Sequence, residues 1–153
     1  MYERNSQLSK AQQGIVSEAM EIVASKEGRD VEFIRSAVAD GTIVIPCNIM
    51  HKNLNPIGIG SSLKTKINAN IGTSSLSSCI NSELRKLSSA VKYGADTVMD
   101  LSTGNDLDRI RKEIILNSTV PIGTVPIYEI ACLAGDDKDI DLSRESIISV
   151  IKR

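Results

Sequence analysis

The sequence predicts an α/β protein with a parallel sheet, on three observations. From residue 63 onward, short β-branched runs alternate with amphipathic stretches. The resulting order, β-α-β-α-β-α, favours parallel strands with helices packed outside them. Three strand-end positions, Asn70, Met99 and Tyr128, recur at intervals of 29 residues, close to the ~30 residues that one strand–helix unit occupies. The hydrophobic and charged fractions, 41% and 24%, are those of a globular chain. Element order alone does not separate a doubly wound sheet from a barrel, so both stand at this stage.

Residues 1–13 are polar and predict a loose lead-in. Ser17 is placed to cap a helix running to Lys26, with Met20, Val23 and Ala24 on one face and Gly28 at its end. Asp30 caps a second helix, in which Val31, Ile34 and Val38 follow helical spacing and Gly41 is the stop. Thr42-Ile43-Val44-Ile45 predicts a short strand closed by Pro46. Residues 46–62, rich in Asn, Pro, Gly and Ser, read as a loop. The pattern changes at Leu63, which sets the boundary between an N-terminal region, 1–62, and a second region, 63–153.

In the second region Leu63, Thr65 and Ile67 alternate with polar residues, as in a half-buried strand. A helix is predicted near 82–93 with Leu84, Leu87 and Val91 inward, then a strand at Thr97-Val98-Met99. Asp106 is placed to start a helix carrying Leu107, Ile110 and Ile114. Val120 to Ile127 reads as a strand, and Ser143 caps a last helix with Ile147, Ile148 and Ile151 as its apolar set. Asp136-Asp137-Lys138-Asp139 reads as a solvated loop.

Charge and cysteine usage narrow the function classes. Eighteen basic against 19 acidic residues give a net charge of −1, without the cationic surplus that a general nucleic-acid binder needs. The same balance offers an anionic membrane nothing to attract. No apolar run approaches the ~18 residues of a membrane span, and the polar N-terminus lacks a secretory pattern. Cys47, Cys79 and Cys132 lie 32 and 53 positions apart without a C-x-x-C pair, so spacing predicts no metal site. Such thiols suit a cytoplasmic protein, each packed as a small hydrophobe.

Chemistry concentrates at three strand ends: Asn68-Ala69-Asn70-Ile71-Gly72, Val98-Met99-Asp100-Leu101-Ser102-Thr103-Gly104 and Gly123-Thr124-Val125-Pro126-Ile127-Tyr128. Equal spacing would bring Asn70, Met99 and Tyr128 to one level, where strands give way to loops. An amide, a thioether and a phenol suit a polar heterocycle without supplying a strong acid or base. Equally, Asn70 suits a turn, Met99 a packed core and Tyr128 a rim. No residue is assigned as catalytic. Asp100 reads first as a loop-capping carboxylate. Gly58-Ile59-Gly60 fails the dinucleotide fingerprint, because Leu63 stands at its sixth position and a strand follows. His51, the single histidine, reads as structural.

These blocks, with Gly14-Ile15-Val16, Met20-Glu21, Ile45-Pro46, Asn48 and His51, resemble the phosphomethylpyrimidine synthases over roughly residues 11–130. The resemblance implies the first three βα units of a (β/α)8 barrel, incomplete in this chain. It implies a radical S-adenosylmethionine lyase that converts 5-aminoimidazole ribotide to 4-amino-5-hydroxymethyl-2-methylpyrimidine phosphate in thiamine biosynthesis. It further implies a [4Fe-4S] cluster, S-adenosylmethionine and a zinc-type metal. Asn70, Met99 and Tyr128 match the family's first three substrate contacts.

The chain also departs from the family pattern. It stops at Lys152-Arg153, inside the third barrel helix, before the phosphate loop, the later His and Glu contacts, the metal-binding histidines and the C-x-x-C-x-x-x-x-C cluster loop. Cys47 stands where the family has Ala, and Glu18-Ala19 stand for Pro-Glu. On this resemblance the chain is an N-terminal third, inactive alone, and its expected partner is a second copy or a complementing chain. Two alternatives stay open: a 5-hydroxybenzimidazole synthase acting on the same substrate, and a non-catalytic remnant or split-enzyme fragment.

Overall fold

A computed structural model describes residues 6–74, 79–103, 106–134, 140 and 142–152. The acidic stretch 136–139 and Gly104 lie outside the described residues. Two compact units divide the chain: 1–67 with 119–121, and 68–118 with 122–153.

The first unit is helical. Helix α1, Gln7–Gln12, replaces the loose lead-in expected there. Ser6 caps it by accepting from Ser9 N, Ala11 is fully buried, and Arg35 Nη1 donates to Ala11 O at 2.7 Å. A polar sequence thus gains a helix through one buried methyl and tertiary hydrogen bonds, which periodicity does not register. Helix α2, Glu18–Glu27, is capped by Ser17, and α3, Val31–Ala39, by Asp30, as their sequences predict. Strand β1, Ile43–Val44, pairs antiparallel with β2, Ile59–Gly60. Ile59-Gly60 is therefore one strand of a two-stranded antiparallel pair rather than part of a phosphate loop, inside the 46–62 stretch that reads as loop. Met20, Val23, Ile34 and Ile43 form the buried centre of this unit, each contributing roughly 1.5–3 kcal/mol by leaving water.

The strand expected from Leu63 begins only at Asn68. Segment 63–67 is held by the end of α2 instead. Leu63 packs against the helical core, Lys64 N donates to Glu27 Oε2, and Lys66 Nζ lies 2.8 Å from Glu27 Oε1 with both side chains nearly buried. Burial raises the Glu27 pKa. The hydrogen bonds from Lys66 and Lys64, with the charges of both lysines, outweigh it and hold the carboxyl below its usual value. A depressed carboxyl stabilises the fold above its unfolded pKa, and that contribution is lost as pH falls through the folded value. Glu27→Gln is therefore expected to cost about 1–3 kcal/mol at neutral pH. The difference from wild type should shrink once pH drops below about 4. Urea unfolding at pH 7 and at successively lower pH measures this, and a pH-independent difference would refute the ion-pair account.

The second unit is a parallel α/β layer. Strands β3, Asn68–Ile71, β4, Thr97–Asp100, and β5, Ile122–Thr124, lie in the order β3-β4-β5, all parallel. They form an open sheet. Helix α4, Ile80–Lys92, follows β3, and α5, Leu107–Asn117, follows β4. Ile71 and Val98 on one face of the sheet are buried, as are Leu87 of α4 and Ile110 and Ile114 of α5. Asp106 stands before α5 but makes no side-chain capping bond.

The last predicted strand is much shorter than its pattern. It closes after three residues because Pro126 has no N–H for a ladder and its fixed φ suits the first turn of a helix. Pro126–Ala134 is accordingly helix α6. Helix α7, Arg144–Ile151, is capped by Ser143 as expected, but its buried residue is Val150, while Ile147 and Ile151 are exposed. Among the described residues no helix is long and apolar enough to cross a membrane.

Candidate functional site

Parallel pairing sets Asn70 opposite Met99 and Met99 opposite Gly123. Registered partners in a parallel sheet project to the same side. One face thus carries Asn68, Asn70, Thr97 and Met99, largely open, while Ile71, Val98 and Asp100 are buried on the other. The alternation that puts Asn70 on the open face also buries Ile71 next to it.

A hydrogen-bond chain orients the Asn70 amide. Thr97 Oγ1 donates to Asn68 Oδ1 at 2.9 Å, and Asn68 Nδ2 donates to Asn70 Oδ1 at 2.9 Å. The carbonyl oxygen of the exposed Asn70 is thus engaged, and its amide nitrogen is the group left for a ligand. Asn68 and Thr97 are absent from the residues expected at the site. Their signal was available in the two-residue period, since 68 and 70 share a face.

Tyr128 is not on a strand. It lies in the first turn of α6, exposed, with its N–H donating to Val125 O at 3.0 Å. The residue level with Met99 on β5 is Gly123. Equal chain spacing therefore put Asn70 and Met99 at one height and Tyr128 five residues past it. No hydrogen bond joins Tyr128 to Asn70 or Met99 among the described residues.

The loops that follow β3 and β4 are laced together. Leu101 N donates to Ile71 O, Thr103 N to Thr73 O and Thr73 N to Ser102 Oγ, at 2.8, 3.0 and 3.0 Å. Buried Asp100 accepts from both Ser102 N and Ser102 Oγ, so it caps its own loop as the sequence suggests. Buried Glu83 of α4 accepts from Gly72 N at 2.9 Å and from Lys86 Nζ at 2.7 Å. Buried Glu129 of α6 pairs with Arg111 of α5. Neither Glu83 nor Glu129 belongs to a local pattern that announces burial, which is why sequence reading passes over both. Asp100, Ser102, Arg111, Thr124 and Glu129 help line a cavity of about 10 Å³, room for one water at most.

The remaining chemistry-bearing residues are spread out. His51 is buried in its loop, in keeping with a structural role. Cys47 packs partly buried against the helical core and Cys132 is half-buried. Cys79 is exposed at the start of α4, against the expectation of a buried thiol. Among the described residues no three His, Cys, Asp or Glu side chains form a group able to hold a metal ion. The described residues do not fit an iron–sulfur cluster or a zinc ion.

The family model described as the radical SAM ThiC family matches residues 6–153. A phosphomethylpyrimidine synthase of Natronomonas pharaonis is 53% identical over 148 residues, covering 97% of this chain and 31% of the relative. The protein of that name in Methanococcus maripaludis is 47% identical over 150 residues, 97% of this chain and 35% of the relative. The one in Carboxydothermus hydrogenoformans is 52% identical over 126 residues, 82% and 29%. The chain thus spans about a third of the length of the curated relatives it matches.

Proposed function

This chain belongs to the radical SAM ThiC family, and from that premise we propose that it forms one part of a phosphomethylpyrimidine synthase of thiamine biosynthesis. Its share of the work is substrate binding on an open β/α layer, the first part of a (β/α)8 barrel. Asn70, Met99 and Tyr128 are the contacts to 5-aminoimidazole ribotide. The observation that carries the reading is the in-register placement of Asn70 and Met99 on one open face, with the Asn70 amide already oriented by Asn68.

Each contact has a distinct physical task. The Asn70 amide donates to a ring nitrogen or hydroxyl of the substrate. The Met99 thioether gives a polarizable apolar surface for the imidazole face. The Tyr128 ring, carried by the first turn of α6, covers a further side and offers its hydroxyl. None of the three moves a proton from carbon. On this reading the iron–sulfur cluster, S-adenosylmethionine and a zinc-type metal are held by segments other than the described residues. The whole assembly acts as a carbon–carbon lyase in the cytoplasm, with a second copy or a complementing chain closing the open sheet. The name shared by the three relatives favours the pyrimidine product over 5-hydroxybenzimidazole.

Asn70→Ala is expected to weaken aminoimidazole ribotide binding by about tenfold, the loss of roughly one good hydrogen bond. Isothermal titration of both proteins tests it. Equal affinity for the two would remove Asn70 from the site.

A further inference from the structure

We propose that Gly123 is a positioning residue that seats the Met99 thioether, an inference that deepens the substrate-binding reading of Met99 and rests on it. Gly123 is the β5 partner of Met99 in the sheet register, so a side chain there would stand on the same open face. A Cβ built on Gly123 would come 2.9 Å from Met99 Sδ and 3.1 Å from Met99 Cε. Favourable contacts of this kind begin near 3.5 Å, so both approaches are repulsive. The thioether occupies the volume that a side chain at 123 would need.

Backbone conformation is not the reason for glycine at this position. Gly123 is absent from the glycines with positive φ, and an alanine would fit the strand. What it would displace is the far end of an unbranched, three-torsion side chain rather than backbone. Gly123→Ala therefore leaves the sheet in place and moves sulfur off β5. That separates ligand contact from stability, which few substitutions beside a strand do. On the other side of Met99 stands Asn70. The row Asn70–Met99–Gly123 thus reads as donor, apolar surface and the space that fixes where that surface lies.

The test uses the full chain labelled with ¹³C at methionine methyl groups, as wild type, Gly123→Ala, Met99→Ala and the double variant. Four methionines give few resonances, and Met99→Ala assigns the relevant one. The wild type should show a nuclear Overhauser contact between the Met99 methyl and Gly123 Hα. Gly123→Ala should abolish that contact and shift the Met99 methyl alone, with the melting temperature within about 3 °C of wild type. Aminoimidazole ribotide should perturb the same methyl in the wild type. Its affinity should fall about three- to tenfold in Gly123→Ala, and Gly123→Ala should add nothing in the Met99→Ala background. An unmoved Met99 methyl in Gly123→Ala overturns the inference, as does an equal affinity loss with and without Met99. If the ribotide leaves the wild-type Met99 methyl unchanged, the substrate-binding reading fails, and the methyl shift in Gly123→Ala still decides where the thioether is seated.

Discussion

Glu129→Ala is expected to lower the unfolding free energy by about 3–5 kcal/mol, the range for removing one partner of a buried ion pair. The Glu129 side chain is only 4% exposed and its partner Arg111 19%. Removing the carboxylate leaves a guanidinium that has little access to water. Asp108 Oδ1 stands 3.5 Å from Arg111 Nη1 without forming a hydrogen bond, so it does not replace the lost pair. Arg111 Nε already has no hydrogen-bond partner among the described residues. Arg111→Met combined with Glu129→Leu should recover most of the loss, because it is the stranded charge that destabilises, not the missing attraction. Urea unfolding of the three variants measures both effects. A loss under about 1 kcal/mol for Glu129→Ala would mean that Arg111 reaches solvent easily, as in surface pairs. Glu129 follows Tyr128 directly in α6, so the same pair fixes the turn that carries the phenol.

Gly72→Ala is the second change with a large expected cost, about 2–3 kcal/mol. Gly72 follows β3 with φ at +155°, and a Cβ there would lie 2.7 Å from Leu101 C and 2.8 Å from Ser102 N. These are backbone atoms of the neighbouring loop, so no rotamer change relieves the overlap. The loops after β3 and β4 would have to separate, straining the Leu101–Ile71, Thr103–Thr73 and Thr73–Ser102 hydrogen bonds. The Gly72 N–H to Glu83 bond would be disturbed as well. Gly94→Ala is the control. Its φ of +94° carries conformational strain, but nothing lies within 4 Å of the added carbon, so its cost should stay near 1–2 kcal/mol. Equal losses at 72 and 94, measured by thermal or urea unfolding, would show that close loop packing is not what demands glycine at 72.

Much of the fold was legible because local rules and packing agree. Ser17 and Asp30 cap the helices they precede, and Met20, Val23 and Ala24 of α2 and Ile34 and Val38 of α3 are buried as read, with Val31 partly so. The βα alternation after residue 68 gives a parallel sheet, and the 29-residue step aligns Asn70 with Met99 because each unit advances one strand. The failures have two causes, one distant in sequence and one local. Residues 63–67 alternate like a strand but follow Glu27, a partner distant in sequence. Tyr128 keeps the 29-residue interval but not its height, because Pro126 ends β5 early and turns the chain into α6.

The sequence by itself determined the class of fold and the order of most of its elements. Those follow from periodicity and caps, which act over three or four residues. Only the tertiary structure decided that Asn68 aims Asn70, that Glu83 and Glu129 are buried and paired, and that Met99 lies over the bare backbone of Gly123. Apart from the Asn68–Asn70 bond, whose residues share a strand face by simple alternation, these depend on distances between separate segments of the chain, and no local pattern encodes such a distance.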